Sequence, residues 1–177
     1  TLKLKSFLAS MENYFHGSSS GIDPLQCYFG KPFVLSQKTT DNGQQSSFTI
    51  LDNDFISDDI HIFLLDTNIK SPTGPLVEHF KERRQDEKYL DKFNNEYVPL
   101  VKECISNLIN KEDDVFFSNL LNVSKLQSDL LAHTIPDSFR DFFLADINKE
   151  GFQVKLCGAG GGGYLLGFCN DIEKNNT

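Results

Sequence analysis

The chain has 177 residues and a formal net charge of −8, and 39% of its residues are apolar, with 16 Phe among them. A chain of this length and composition can bury the core of one domain or slightly more, which excludes an intrinsically disordered protein. The acidic residues are spread along the chain, which argues against nucleic acid as the main partner. No apolar run reaches the ~18 residues of a membrane span, so we expect no membrane partner.

The start of the chain, TLKLKSFLASMENYF, lacks an initiator Met and a signal-peptide pattern. We therefore expect a cytoplasmic protein and interpret the chain as a fragment. The four cysteines show no CxxC motif and no framework spacing, and we expect them to be reduced, buried thiols: Cys27, Cys104, Cys157 and Cys169.

The first quarter of the chain is predicted to form a helix, a turn and a hairpin. Apolar residues at helical spacing predict a helix that ends near Tyr14. The following stretch, FHGSSSGIDPL, is predicted to be a turn that Pro24 closes. Short aromatic and β-branched runs at 27–36 and 47–51 flank a polar loop containing Asn-Gly, which predicts a β-hairpin.

The rest of the chain is predicted to be helical between strands. An apolar run at 60–67 predicts a buried strand, and the last two predicted strands are 152–157 and 164–169. Lys155 is expected to face outward from its strand. Helical patterns cover 75–88, 91–110, 113–132 and 137–148. Strands at both ends of a helical middle predict an α+β fold, with helices covering one face of a mainly antiparallel sheet.

A glycine-rich loop, GAGGGG at 158–163, joins the last two predicted strands. It fits GxGxxG, but a strand follows instead of a helix, which excludes a dinucleotide fold, and no Lys-Ser/Thr follows as in a Walker A loop. Two alternatives remain: a tight connection against which another element packs, or backbone lying against a phosphate or a phosphate-holding helix. Each glycine costs about 0.5–1 kcal/mol relative to Ala, which favours the second alternative.

Three stretches in order, FHGSSSGID, DTNIKSPTGPLV and KLCGAGGGGYLLGF, resemble motifs of the galactokinase, homoserine kinase, mevalonate kinase and phosphomevalonate kinase (GHMP) superfamily. They are most similar to the mevalonate kinase branch. The resemblance implies the C-terminal half of a kinase. Residues 1–56 would end the N-terminal domain, and residues 57–177 would form the ferredoxin-like C-terminal domain. It also implies ATP-dependent transfer of the γ-phosphoryl group to a small-molecule alcohol, in isoprenoid biosynthesis, with Mg²⁺ as cofactor.

The resemblance assigns roles to individual residues. Asp23 matches the carboxylate that takes or orients the proton of the attacking hydroxyl, and Glu12 matches the Mg²⁺-binding Glu of the preceding helix. Phosphoryl transfer needs these two functions, one on the nucleophile and one on the metal. The positions implied for substrate binding are His16, Gly17, Ser20, Gly21 and Thr73. The positions implied for the phosphate loop are Gly158, Ala159, Gly160, Gly161, Gly162 and Gly163.

Several alternatives stay open. Ser19 stands where the family often has Pro, and Pro24 follows Asp23 where Asn is common. Other members therefore remain candidates: a phosphomevalonate, sugar or sugar-phosphate kinase, a diphosphomevalonate decarboxylase, or a non-catalytic binding domain of the same fold. Each of three candidate residues also has a purely structural alternative. Asp23 could form an Asx turn, Glu12 could be a charge on a helix surface, and Thr73 could be a plain helix cap.

The family's ATP-phosphate loop is not in these 177 residues, so we expect them to be inactive alone. The resemblance also leaves a homodimer open.

Overall fold

The structure is a computed structural model that describes residues 2–16, 19–40, 43–71, 73–146 and 152–170. The chain divides into two compact units, Thr1–Phe55 and Ile56–Thr177. This division lies beside the boundary at 56/57 expected from the sequence. That the two units correspond to the two domains of a kinase remains a prediction.

The first unit contains two helices and a hairpin. Helix α1 (Leu2–His16) and helix α2 (Ile22–Phe29) precede strands β1 (Phe33–Thr40) and β2 (Gly43–Ile50). The two strands pair antiparallel, from Phe33 opposite Ile50 to Thr40 opposite Gly43. The hairpin prediction is confirmed, and its strands extend further towards the Asp-Asn step than the polar sequence indicated; residues 41 and 42 lie outside the described part of the chain.

Helix α2 corrects the turn and the strand predicted for residues 22–32. It begins after Gly21, which has a φ of 71°, and ends at Gly30, which has a φ of 59°. Pro24 lies in its first turn, where the missing N–H breaks no helical hydrogen bond. Glycines at both ends and a proline near the start thus delimit a short helix, and the predicted strand begins only at Phe33.

The second unit is built on a three-stranded antiparallel sheet with strand order β3-β5-β4. Its strands are β3 (Ile60–Asp66), β4 (Phe152–Leu156) and β5 (Tyr164–Asn170). The α+β prediction is confirmed, and the arrangement is consistent with a ferredoxin-like domain. Strand β3 is at an edge of the sheet instead of being buried, and its side chains Ile62 and Leu64, which are two residues apart and so share one face, are exposed.

Helices fill the sequence between β3 and β4, as predicted. Their bounds are α3 (Thr73–Arg83), α4 (Glu87–Lys92), α5 (Val98–Asn110), α6 (Asp113–Leu130) and α7 (Asp137–Asp146), with a 3₁₀ turn at Ala132–Thr134. The predicted helix over 91–110 is interrupted by a π-helix at Phe93–Tyr97. Pro99 has no N–H for the carbonyl four residues earlier, which interrupts the regular α-helical ladder at this point. None of the helices in the described ranges is long and apolar enough to cross a membrane.

Among the described residues, the core of the second unit contains two apolar clusters. One consists of Ile60, Cys104, Phe116, Leu120, Val123 and Phe168, and the other of Ile135, Phe143, Val154, Leu156 and Leu165. On the central strand, Gly167 leaves room for the ring of Phe63, which stacks on Phe152 with centroids 5.2 Å apart. A side chain at Gly167 would overlap the Phe63 ring.

Helix α6 hydrogen-bonds to the backbone of strand β4. The Ser124 hydroxyl donates to the Val154 carbonyl at 2.7 Å, and the Leu156 N–H donates to Gln127 Oε1 at 2.9 Å. Both side chains are buried. The Gln127 amide also donates to the Tyr97 hydroxyl at 3.0 Å, so one glutamine connects the π-helix, helix α6 and the edge of the sheet.

The cysteines are free, as expected, but they are not uniformly buried. Cys27 and Cys157 are exposed, Cys169 is intermediate and Cys104 is buried. Burial raises the pKa of the Cys104 thiol to about 11, and nearby Lys155 opposes this shift in part. Cys27 lies in the last turn of α2 and Cys157 directly follows β4, and the local apolar sequence did not indicate the exposure of either thiol.

We expect Gln127→Leu to lower the free energy of unfolding by about 1–3 kcal/mol, because the buried Leu156 N–H and the Tyr97 hydroxyl both lose a partner. Urea unfolding measures the change. Lys125→Leu, an exposed change on the same helix, is the control and should shift the value by less than about 0.5 kcal/mol. Equal effects of the two substitutions would contradict the structural role of Gln127.

Alkylation by iodoacetamide should distinguish the cysteines. At pH 8 we expect Cys27 and Cys157 to react in the folded chain, whereas Cys104 reacts only after unfolding, because it is buried and protonated. Site-resolved mass spectrometry over a time course gives the rates. If Cys104 reacts as fast as Cys157 in the folded chain, its place in the core is wrong.

Candidate functional site

The predicted base and the predicted metal ligand lie on consecutive helices of the first unit. Glu12 is on α1 and is partly buried, and Asp23 is exposed in the first turn of α2. Ser19 lies between the helices. Its hydroxyl donates to Glu12 Oε2 and accepts the N–H of Gly21 at 2.9 Å. One hydroxyl therefore connects the Glu12 carboxylate to the turn that precedes Asp23.

Further contacts hold this turn against α1. The Ser19 N–H donates to Asn13 Oδ1 at 2.5 Å, and the Ser20 hydroxyl accepts the N–H of Ile22 at 3.3 Å. Gly21 is buried against α1, and a side chain there would overlap the Lys5 carbonyl. Gly21 is thus required both by its positive φ and by this close approach.

Two residues that form contacts in this turn, Asn13 and Ser19, were not among the functional residues predicted from the sequence. Ser19 was noted only as a departure from the family's Pro. A proline there would lose both contacts, because it has no N–H for Asn13 and no hydroxyl for Glu12; the contact to Glu12 also requires a side-chain donor, which Ser19 supplies.

The other substrate positions are only partly described. His16 ends helix α1 and Thr73 begins helix α3, but their side chains lie outside the described residues, as does Gly17 altogether. Thr73 and the glycine loop belong to the second unit, whereas His16, Ser20 and Gly21 belong to the first. Their roles in substrate binding stay predictions.

The glycine loop 158–163 has a conformation that explains its composition. All five of its glycines have a positive φ, between 65° and 138°, which side-chain-bearing residues rarely adopt. Two of them also approach other backbone closely. A Cβ on Gly160 would lie 2.6 Å from the Thr134 carbonyl oxygen, and a Cβ on Gly162 would overlap the carbonyl of Ile69.

Backbone hydrogen bonds fix the loop on two sides. The Gly161 N–H donates to the Thr134 carbonyl at 2.5 Å, and the Gly163 N–H donates to the Ile69 carbonyl at 2.7 Å. Because these two amides donate within the chain, they are not available to a phosphate in this conformation. The described contacts therefore favour a loop that other segments pack against, and direct phosphate binding stays a prediction.

Hydroxyl side chains complete the attachment of the loop. Thr67 donates to the Gly163 carbonyl at 2.8 Å through both its N–H and its hydroxyl, and the Ser71 hydroxyl donates to the Gly160 carbonyl at 2.5 Å. The segment after β3 is thus bound to the loop before β5. The hydroxyl residues in DTNIKSPTGPLV are the sequence signal for these contacts.

A cavity of about 330 Å³ lies beside the glycine loop in the second unit. Its walls come from α3, the π-helix, α6, the 3₁₀ turn and β4, and they consist of Leu76, Val77, Phe80, Phe93, Tyr97, Gln127, Leu131, Thr134, Lys155, Leu156, Gly158 and Ala159. Lys155, expected to face outward, is one of these wall residues. Its ammonium donates to the Leu156 carbonyl at 2.7 Å. Burial lowers the pKa of Lys155, while the thiols of Cys157 and Cys104 act in the opposite direction.

The candidate ligands for a metal ion are defined by their side-chain donors. Within the described ranges, no group of three or more His, Cys, Asp or Glu side chains converges. Mg²⁺ in kinases is commonly held by one or two carboxylates, with phosphates and water completing its shell. Glu12, with the Ser19 hydroxyl oxygen beside it, provides donors of that kind.

Comparison with curated proteins shows a distant similarity to a kinase. The chain is similar to a mevalonate kinase of Dictyostelium discoideum, with 26% identity over 162 residues, an alignment that takes in 88% of this chain. The chain spans 39% of the length of that relative. No family model and no solved structure matches the chain. The relative carries the name of the branch that the three motifs most resemble.

Two alanine substitutions in the loop test its packing. Gly158→Ala and Gly160→Ala both place Ala at a positive φ, which costs about 1–2 kcal/mol. Only Gly160→Ala also meets Thr134, and this clash should add about 1–3 kcal/mol, whereas Gly158 faces open space. Urea unfolding of the two variants gives the difference, and equal losses would show that Gly160 does not pack against Thr134.

Proposed function

We propose that the chain is part of an ATP-dependent kinase of the GHMP type that transfers the γ-phosphoryl group to the hydroxyl of a small molecule, mevalonate first among candidates. The observation that carries this proposal is the Ser19 contact, which holds the Glu12 carboxylate beside the turn presenting Asp23. Similarity to a mevalonate kinase supports it. The protein is proposed to be cytoplasmic and to act in isoprenoid biosynthesis.

Asp23 is proposed to orient the substrate hydroxyl and accept its proton. The carboxylate is exposed at the start of α2, so a substrate can reach it, and Gly21 and the packing of the turn on α1 fix its position. A base of this kind acts through placement, because phosphoryl transfer needs an oriented nucleophile and no covalent intermediate.

Glu12 is proposed to hold Mg²⁺, with the Ser19 hydroxyl oriented alongside. The bound ion would neutralise charge on the ATP phosphates. The hydrogen bond from Ser19 restricts the rotation of the Glu12 carboxylate. Its oxygens are therefore held in position before the ion binds.

The second unit is proposed to be the C-terminal domain of the kinase, with its glycine loop supporting the phosphate site. The internal bonds of the loop to Thr134 and Ile69 support a role in shaping the site over direct contact through those amides. The residues proposed to bind the substrate are His16, Gly17, Ser20, Gly21 and Thr73.

A non-catalytic binding domain of the same fold is the second candidate. It is favoured by the amides of Gly161 and Gly163, which donate to Thr134 and Ile69 and are therefore not available to a phosphate. Activity measurements separate the two candidates.

In the intact protein that contains this chain, we expect Asp23→Asn to lower kcat for mevalonate phosphorylation by about 10²–10⁴-fold with little change in KM, because the substrate still binds while its proton has no acceptor. Coupled detection of ADP measures turnover. Asp54→Asn, an exposed change in the same unit, is the control and should retain full activity.

The same assay separates the alternatives. Glu12→Gln should raise the Mg²⁺ concentration for half-maximal rate, and phosphomevalonate and sugar substrates should react more slowly than mevalonate. Full turnover of Asp23→Asn would show that Asp23 is not the base. A protein without turnover on every substrate of the panel would favour the non-catalytic domain.

A further inference from the structure

The cavity beside the glycine loop has the composition of a small-molecule site. Eight of its twelve wall residues have aliphatic or aromatic side chains, with Tyr97 as the only one of the eight that carries a polar group. Its volume of about 330 Å³ is at the lower end of the range for ligand pockets, which are typically apolar with a few placed polar groups.

One wall of the cavity is the π-helix. Phe93 and Tyr97, its first and last residues, both line the cavity. Short π-helical segments are rare and are frequent at functional sites, because the extra residue per turn changes the direction of the side chains. The π-helix, independently of the cavity volume, therefore indicates a binding role for this wall.

Two polar side chains of the cavity wall, Tyr97 and Lys155, have N–H or O–H groups that the acceptors of the described residues do not use. The Tyr97 hydroxyl accepts from Gln127, which leaves its own proton for another acceptor. Gln127 itself is engaged on both ends, by Tyr97 and by the Leu156 N–H. Thr134 donates its hydroxyl proton to the Leu131 carbonyl at 2.8 Å. Tyr97 and Lys155 are thus two wall residues that keep a donor for a ligand.

Lys155 is a cation without a carboxylate partner. None of the twelve wall residues is acidic, and within the described part of the chain no Asp or Glu forms an ion pair with Lys155. Among the described residues its ammonium donates one hydrogen bond, to the Leu156 carbonyl, which leaves two N–H donors. An ammonium in partly apolar surroundings gains from any anion that replaces its lost water.

We propose that this cavity binds a small ligand with an apolar body and one anionic head group, a carboxylate or a phosphate. The apolar walls from α3 and the π-helix would hold the body, and Lys155 with the Tyr97 hydroxyl would bind the head. The site lies within the second unit alone. It does not depend on the proposed kinase reaction, so it can be tested without ATP or substrate.

The test is calorimetric titration of the 177-residue chain with octanoate, octyl phosphate, octanol and octylamine. We expect at least one of the two anions to bind about tenfold or more tightly than octanol, since only an anion forms a hydrogen bond with Lys155 in which both partners are charged, and octylamine not to bind. Lys155→Met should remove this preference for the anion while leaving octanol binding in place. Lys125→Met, which removes an exposed charge from α6, is the matched control and should bind like the unmodified chain.

Three outcomes would overturn the proposal: no binding of either anion, octanol binding as tightly as the anions, or unchanged anion binding by Lys155→Met. The first two need no variant, so the test stands even if a substitution perturbs folding. Tyr97→Phe gives a second measurement, with an expected loss of about three- to tenfold in anion affinity. Far-ultraviolet circular dichroism checks that each variant is folded.

Discussion

The close approach of the glycine loop to Ile69 and Thr134 is the contact on which the second unit depends. The loop joins β4 to β5, Ile69 follows β3, and Thr134 ends the 3₁₀ turn after α6. Backbone from three separate regions therefore meets at hydrogen-bond distance, which only residues without a side chain allow. These hydrogen bonds offset part of the conformational entropy that five glycines lose on folding, and they hold in place the loop that forms one wall of the neighbouring cavity.

The first unit also contains a glycine that allows two segments to approach closely. Gly21 brings the start of α2 against α1, and Ser19 uses the short distance to reach Glu12. In both units a glycine permits the approach and a hydroxyl or an amide makes the contact. The candidate roles of Glu12 and Asp23 depend on this arrangement, because two carboxylates contribute to one reaction only if their positions are fixed relative to each other.

The sequence predicted the elements that have strong local signals. Helical spacing indicated α1 and the helices after β3, and Asn-Gly indicated the hairpin. It failed where one residue changes the geometry: Gly21 begins an unpredicted helix, and Pro99 follows an unpredicted π-helix. Lys155 was expected to face solvent, but it lines the cavity. The alternation of side chains along a strand indicates which residues share a face, and it does not indicate what covers that face. The motifs indicated Glu12 and Asp23, whereas the Ser19 contact between them is a tertiary feature that no spacing rule contains.

Amide hydrogen exchange of the glycine loop tests the central claim most directly. If Gly161 and Gly163 donate to Thr134 and Ile69 in the native chain, their amides should exchange as slowly as those of strand β5, since opening them requires separating the packed segments. Nuclear magnetic resonance of the labelled chain resolves both amides. Exchange of Gly161 and Gly163 at the rate of an unprotected loop would contradict the claim that internal contacts fix this loop.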